Sequence, residues 1–201
     1  MMEAADGEMK AGNYAPAYIM GLEIAAMIKE LYGENSENMA SMYDSLGTTK
    51  LKMGEYEAAL MYYLRAYDIR KAAEFTTQAE FLSSYLHLIL VYFPLKQYKK
   101  YMIFAEKAIT IYEKAPQKHL FVLACTYNNT GLVAELMQHY ALALDFYQKG
   151  IMVLQKLLPA QKDMLQKAKN SYHHILQNHQ NDLPPTIFAA HSAWFAANFQ
   201  D

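Results

Sequence analysis

The sequence predicts an all-α fold built from repeated helix pairs, on three observations. Tyrosines recur at a fixed step of 42 residues, at Tyr14, Tyr56, Tyr98 and Tyr140. Apolar residues within each 42-residue stretch follow steps of three and four, which is the spacing of one helical face and not of a strand. Residues that interrupt helices are scarce, with 8 glycines and 6 prolines among 201 residues. A fixed period of this length is typical of repeat proteins, whose stacked units share one core.

Within each unit, the pattern predicts two helices separated by a short turn. In the second unit, Met42, Leu46 and Thr49 recur at helical spacing until Gly54 interrupts the pattern, and Tyr56 starts a second run. Small residues recur beside large ones in the same register. Because a small residue lets two helices approach closely, each pair is expected to interdigitate at native packing density.

Residues that favour helix ends predict the boundaries. Ser36 is suited to the N-cap of a helix that runs to about Met53, and Thr76 or Thr77 to the N-cap of the next. Pro116 suits a first helical turn, whereas Pro94 ends a helix. We predict one domain over 1–180, a linker and aromatic tail over 181–201, and within the domain units of about 1–35, 36–75, 76–116 and 117–159, followed by a capping helix over 160–179.

The second and fourth units resemble the tetratricopeptide repeat. That pattern combines an aromatic residue and Leu-Gly in the first helix with Gly-x-Tyr-x-x-Ala-x-x-x-Tyr-x-x-Ala across the turn. The second unit matches it without a gap, and the fourth matches most of it. The matching residues are Tyr43, Leu46, Gly47, Gly54, Tyr56, Ala59, Tyr63 and Ala66, then Tyr127, Asn128, Asn129, Gly131, Tyr140, Ala143 and Tyr147. The 42-residue step resembles the kinesin-light-chain-like subclass.

This resemblance implies a right-handed α-solenoid whose first helices line a concave groove. Carried over through the 42-residue register, the family's binding positions are mixed in chemistry, with amides, hydroxyls and apolar side chains. The predicted partner-binding residues are Asp44, Thr48, Lys52, Leu86, Leu90, Phe93, Asn128, Asn129, Leu132, Asn170 and His174. The alternative is that the asparagines only bond neighbouring helices and the leucines belong to the core between repeats.

The tail after the Gln-Asn-Asp-Leu-Pro-Pro segment is unusually aromatic. Phe188 and Phe195 share one helical face, and Trp194 is the only tryptophan of the chain. Left exposed, these side chains would form a sticky patch. Three interpretations stay open: the tail folds back on the repeats, anchors a partner or a second copy through Phe188, Trp194 and Phe195, or is disordered.

Composition and motifs argue against several classes of function. The net charge is −2, so no basic footprint for nucleic acid is evident. No apolar run is long enough to span a membrane, and no secretory signal is visible, which favours a cytoplasmic protein. Cys125 is the single cysteine, and His173 and His174 are adjacent and point about 100° apart, so no metal-ligand spacing is present. No phosphate loop or catalytic triad order is found, and we predict no enzymatic activity and no cofactor.

The sequence therefore predicts a protein–protein interaction scaffold that binds a peptide or helical segment in its groove. Two alternatives remain. The chain is a regulatory sensor that responds to a signalling peptide, or it is a structural module that associates with itself through the aromatic tail.

Overall fold

The computed structural model describes residues 1–74, 76–114, 116–157 and 159–199. Over these ranges the chain contains helices, turns and no strand, so the all-α prediction is confirmed. The helices are α1 (Met2–Ala11), α2 (Tyr14–Tyr32), α3 (Glu37–Lys52), α4 (Tyr56–Ala72), α5 (Gln78–Tyr92), α6 (Tyr98–Lys114), α7 (Pro116–Leu136), α8 (Tyr140–Gln155), α9 (Lys162–Asn178) and α10 (Pro185–Asn198). A 3₁₀ turn, Gln180–Asp182, precedes α10. None of the described helices is long and apolar enough to cross a membrane.

The helices begin where capping residues occur. The Ser36 hydroxyl accepts a hydrogen bond from the Met39 amide at 3.2 Å and starts α3. Thr77 starts α5 through a reciprocal capping box, in which its hydroxyl accepts from the Glu80 amide and the Glu80 carboxylate accepts from the Thr77 amide. Such caps satisfy amides that have no partner inside the helix. The helix starts predicted at Ser36 and Thr77 are confirmed.

The turn between the two helices of a repeat has the same backbone conformation in all four predicted repeats. Gly12, Gly54, Lys96 and Gln138, at steps of 42 residues, have φ angles of 81°, 79°, 54° and 60°. This left-handed region carries little penalty for glycine and a larger one for residues with a Cβ. Lys96 and Gln138 therefore adopt a turn that the repeat packing imposes on them.

The chain forms two compact units, Met1–Ala108 and Ile109–Asp201, called below the N-terminal and the C-terminal unit. In the N-terminal unit, α3 packs on α4 and on α2. Ala59, Tyr63 and Ala66 of α4 are fully buried there. A Cβ at Gly47 would lie 2.7 Å from the Tyr63 ring, so the two helices approach closely only because this residue is glycine.

In the C-terminal unit, α7 packs on α8 and α8 packs on α9. The same close contact recurs, since a Cβ at Gly131 would lie 2.8 Å from the ring of Tyr147. Leu144 and Ile151 of α8 and Tyr172 of α9 form the centre of this core. The C-terminal helix α10 packs back against α9, as in the first of the three interpretations of the tail.

Candidate partner-binding sites

In the N-terminal unit, the predicted binding residue Asp44 is the centre of a buried ionic network. It is 8% exposed, and its Oδ2 accepts a hydrogen bond from Arg70 Nη1 at 2.6 Å. Arg70 is 3% exposed, pairs with Glu37 at 2.8 Å, and donates to Ser84. Burial lowers the pKa of Arg70, but hydrogen bonds to Glu37 and Asp44 outweigh it, so the net pKa is raised. The guanidinium stays charged and holds α3 against α4 and α5.

Asp44 and the residues around it make further contacts with α4 and α5. His87 Nδ1 of α5 lies 3.0 Å from Asp44 Oδ1, and the His87 ring stacks on Tyr63 with centroids 4.7 Å apart. The predicted binding residue Thr48 donates its hydroxyl proton to the Asp44 carbonyl and contacts the Tyr63 hydroxyl at 3.1 Å. Asp44, Thr48 and His87 are therefore fixed in place by neighbouring helices.

These three side chains line a cavity of about 350 Å³. Its remaining walls come from α1, α2 and α3, with Met9, Ile24 and Met42 among the apolar residues and Asp6 among the polar ones. The short first helix α1 thus closes one side of the cavity. Cavities of this size, apolar with a few placed polar groups, are the common form of small binding sites in proteins.

The other predicted residues of the N-terminal unit do not line this cavity. Lys52 is exposed at the end of α3. On α5, Leu86 is partly buried and Leu90 is 55% exposed. Phe93 follows α5, and its ring packs on Tyr98 at 6.4 Å. None of these four residues is part of the wall around Asp44 and Thr48.

In the C-terminal unit, the predicted residues Asn128, Asn129 and Leu132 of α7 line one cavity of about 390 Å³. Lys167 and Ser171 of α9 complete its polar wall. The apolar part of the wall is supplied by Met164 and Ala168 of α9 and by Tyr147 of α8, together with Cys125. Burial raises the pKa of the Cys125 thiol, which therefore stays protonated at neutral pH.

The amide of Asn128 is held in an unusual way. Its Oδ1 is buried and has no hydrogen-bond partner among the described residues. A Cβ at Gly150 would come within 2.1 Å of that oxygen, so the amide lies over the bare Cα of a glycine on α8. A buried acceptor without a donor costs about 1–3 kcal/mol in protein interiors. Because of this cost, packing alone does not explain why an asparagine occupies position 128.

The last two predicted residues lie on α9 outside the cavity wall. Asn170 is exposed, and its Oδ1 accepts a hydrogen bond from Gln166 at 2.9 Å. His174 is also exposed, and its Nδ1 lies 3.5 Å from a carboxylate oxygen of Glu135. Glu135 also accepts from the Tyr147 hydroxyl at 2.8 Å. Burial first, and then this hydrogen bond, raise the pKa of Tyr147.

The aromatic side chains of the tail are engaged within the chain. Phe188, Trp194 and Phe195 are partly buried against the core of the C-terminal unit. The Phe195 ring stacks on Tyr172 with centroids 5.4 Å apart, and Trp194 lies 5.3 Å from the same ring. The buried His191 accepts or donates a hydrogen bond with the Tyr172 hydroxyl at 2.7 Å.

Arg70, which organises the network around Asp44, was not predicted from the sequence. The 42-residue register contains the signal, because Arg70 falls in a column with Ile28, Tyr112 and Leu154. A charged residue in an otherwise apolar column indicates a buried ion pair, since isolated buried charges are rare. The second missed feature is α1, whose methionines close the cavity of the N-terminal unit.

Comparisons with known proteins agree with this architecture. Residues 1–72 match a family model described as a tetratricopeptide repeat. No curated protein sequence matches the chain significantly. Among solved structures, the fold is similar to the nearly identical TPR-like repeats assigned to a kinesin light chain of Podosopora anserina. The TM-score for a variant of those repeats is 0.73 at 12% identity, over 98% of this chain and 93% of that one.

Two further solved structures are similar as well. The match to BtubC (BKLC) from P. vanneervenii has a TM-score of 0.72 at 15% identity and covers 98% of this chain and 79% of that one. Aspartyl phosphate phosphatase F from Bacillus subtilis matches with a TM-score of 0.63 at 18% identity, over 96% of this chain and 48% of that one. At such identities, the likeness concerns the fold.

The fold and the family match agree with each other. The described residues form the fold of solved tetratricopeptide-like repeat structures, residues 1–72 match the tetratricopeptide repeat model, and the resemblance predicted from the sequence is confirmed. The solved structures with this fold include kinesin-light-chain repeats, which is consistent with the subclass that the 42-residue step resembles. Stacked helical repeats of this kind typically offer extended surfaces for binding other proteins.

Proposed function

We propose that the chain is a non-enzymatic protein-interaction scaffold and that its C-terminal unit binds an extended peptide segment of a partner protein. The observation that carries this proposal is the cavity of about 390 Å³ between α7 and α9. It contains three of the residues that the repeat register marks as binding positions, namely Asn128, Asn129 and Leu132.

The chemistry of this cavity suits a peptide main chain. An extended peptide exposes one amide donor and one carbonyl acceptor at each residue, and asparagine side chains supply both partner types. Because the Asn128 oxygen is buried over Gly150, its nitrogen is the group left to donate to a ligand carbonyl. Asn129 is exposed beside it and supplies the second amide. Leu132, 39% exposed, offers apolar contact for a side chain of the ligand.

The self-association alternative is less well supported. The tail residues Trp194 and Phe195 pack on Tyr172 of the same chain, which occupies the surface that a second copy would need. Among the described residues, nothing comparable covers Asn129 or Leu132, which are exposed on α7. We therefore place the partner at α7 and α9.

The test is selection of peptides from a random library on the full chain, followed by calorimetric titration of one selected peptide. Asn128→Ala, Asn129→Ala and Leu132→Ala are each expected to weaken binding about tenfold, the loss typical of one well-placed interface contact. Asn178→Ala changes an exposed asparagine at the far end of α9 and serves as the matched control. It is expected to bind like the native chain.

Gly150→Ala provides a second variant, which keeps the identity of every residue that lines the cavity. Its methyl group would meet the Asn128 oxygen at 2.1 Å and force the amide to turn. Peptide affinity should fall because the Asn128 amide is moved, although none of the residues that the peptide touches is replaced. Unchanged affinity in the three alanine variants of α7 would refute the proposed site.

A further inference from the structure

The cavity of the N-terminal unit has a wall that offers hydrogen-bond acceptors. Each of its three hydroxyls donates its proton to a main-chain carbonyl one turn earlier on α3: Ser45 to Ser41, Thr48 to Asp44 and Thr49 to Ser45, at 2.8 to 3.1 Å. A hydroxyl has one proton and two lone pairs. Thr48 also contacts the Tyr63 hydroxyl at 3.1 Å, and Thr49 contacts the Met9 sulfur at 3.4 Å. With the protons directed to the helix carbonyls, the groups that remain for the cavity are the other lone pairs of these oxygens.

The remaining polar groups of the wall are acceptors too. Asp6 and Asp44 line the cavity as carboxylates. His87 directs Nδ1 at the Asp44 carboxylate, which can only accept, so the proton of a neutral ring lies on Nδ1. Its Nε2 is then an acceptor as well. A ligand group at this wall must therefore bring its own protons.

The charge of the residues that line the cavity also favours a ligand group that carries protons. Among the described residues that line the cavity, none is a lysine or an arginine. Arg70 reaches Asp44 from α4, but it also neutralises Glu37. With histidine counted as neutral, the lining carries the two negative charges of Asp6 and Asp44, and the Arg70 guanidinium is paired with only one of them, Asp44. The wall is net negative and complements a cation.

The rest of the lining is apolar and adaptable. It includes Met2 and Met9 of α1, Ile24 of α2, and Met42 and Leu46 of α3. Methionine is unbranched and flexible, and it fills irregular space around apolar groups. A ligand with a narrow aliphatic stem and a protonated head satisfies both kinds of wall. Lysine and arginine side chains have this form, because they bury the stem while the head keeps its polar partners.

We infer that the cavity of the N-terminal unit receives a basic side chain, arginine or lysine, from a partner protein. The stem lies along Met9 and Met42, and the head meets Asp6, Asp44 and the hydroxyls of α3. This inference deepens the proposed scaffold function by naming the chemistry of a second site. It depends on that function only in taking the partner to be a protein.

The experiment uses the full chain labelled with ¹³C at the methionine methyl groups. It is titrated with Nα-acetyl-arginine methylamide, with the citrulline analogue, in which an uncharged urea replaces the guanidinium, and with the norleucine analogue. Arginine is expected to shift the Met9 and Met42 methyl signals saturably. The citrulline and norleucine compounds should bind at least about fivefold more weakly than the arginine compound, since they lack the charge.

Variants locate the effect without disturbing the buried network. Asp6→Asn and Ser45→Ala alter exposed positions of the wall and are each expected to weaken arginine binding about threefold. Glu57→Gln removes an exposed carboxylate on α4 away from the cavity and should leave it unchanged. Added salt should weaken the arginine complex and not the norleucine one.

Equal affinity for the arginine and citrulline compounds would overturn the inference, and so would the absence of a saturable methionine shift. Insensitivity to Asp6→Asn would overturn it too. The outcome is separate from that of the peptide experiment, because the probes are single residues and the reporters lie in the N-terminal unit. Loss of the arginine preference together with intact peptide binding at Asn128 would reject this inference alone.

Discussion

Gly47 of α3 lies against the ring of Tyr63 of α4, so closely that a methyl group at position 47 would come within 2.7 Å of Cε1. The same contact recurs in the C-terminal unit, where a methyl group at Gly131 would lie 2.8 Å from Cδ1 of Tyr147. Both pairs are 16 residues apart and sit in the same place in their helix pair. The glycine sets how closely the two helices pack.

Replacing either glycine by alanine is expected to destabilise the fold. Because Tyr63 and Tyr147 are buried, their rings have little room to move, and overpacking of this kind costs about 1–3 kcal/mol. Urea unfolding of Gly47→Ala and Gly131→Ala measures the loss. Gly7→Ala in α1 is the control, since a Cβ there meets nothing within 4 Å and alanine favours a helix. A loss no larger than that of the control would mean that the helices can separate without cost.

At the left-handed turns, introducing a glycine is expected to stabilise the fold. Lys96→Gly and Gln138→Gly are expected to raise the free energy of unfolding by about 0.5–1 kcal/mol each, because both residues have positive φ and glycine adopts it freely. Gly54→Ala should lower it by a similar amount. Lys99→Gly, at an exposed position in α6, is the matched control and should destabilise. Thermal melts of the four variants would show the two signs, and a destabilised Lys96→Gly would contradict the argument.

The Asp44–Arg70 pair predicts a non-additive mutant cycle. Arg70→Leu leaves the buried Asp44 carboxylate without its guanidinium and is expected to cost about 3–5 kcal/mol. The double variant Asp44→Leu with Arg70→Leu should recover most of that loss, since no buried charge remains. Leucine is a suitable replacement because the 42-residue register places Leu86 in the same column as Asp44, and Leu154 in the same column as Arg70.

Chemical denaturation of the two single variants and the double variant gives the coupling energy of this pair. Glu37 keeps water contact, with 42% of its side chain exposed, so it tolerates the loss of Arg70. A double variant as unstable as Arg70→Leu would assign the cost to packing and not to charge.

The docking of α10 is expected to weaken in acid. Burial lowers the pKa of His191 below its ordinary 6.5, and the Asp145 carboxylate of α8, 3.4 Å from Nε2, opposes that shift only in part. The docked state therefore binds fewer protons than the released one, and docking free energy is lost as the pH falls below about 6.5. Above that pH the contribution is fully present.

Trp194 is the only tryptophan and lies on α10, so its fluorescence reports docking directly. We expect a red shift as the pH falls from about 7.5 to about 5, the range in which histidine changes charge, because release exposes the indole to water. His173 of α9 also lies against the tail and stacks on Phe195, so His191→Asn is needed as a control. It retains an acceptor for Tyr172 and should abolish most of the pH dependence. An unchanged transition in this variant would assign it to another group.

The sequence predicts the helix pairs well because the repeat constrains them several times over. A column such as Gly12, Gly54, Lys96 and Gln138 marks a turn even where two of the four residues are not glycine. Capping residues such as Thr77 act locally, within one turn of the helix, and are visible for the same reason.

The candidate sites were predicted less completely, because they depend on contacts between distant segments. The register brings Asn128, Asn129 and Leu132 into one wall, as expected for positions on a single helix. It could not show that Asp44 would be neutralised by Arg70, 26 residues away on another helix. Nor could it show that Met9 would close a cavity with residues of α3. Such contacts follow from side-chain packing and not from period.

The thioether groups around the cavity of the N-terminal unit make its chemistry sensitive to oxidants. Met9 is partly buried, and its sulfur lies 3.4 Å from the Thr49 hydroxyl. Oxidation to the sulfoxide would turn an apolar, flexible wall into a polar one with a further oxygen acceptor. The space for an aliphatic stem would shrink, while the core around Tyr63 would keep its packing. Peroxide would thus alter what this cavity holds before it altered the fold, and a methionine sulfoxide reductase could restore it.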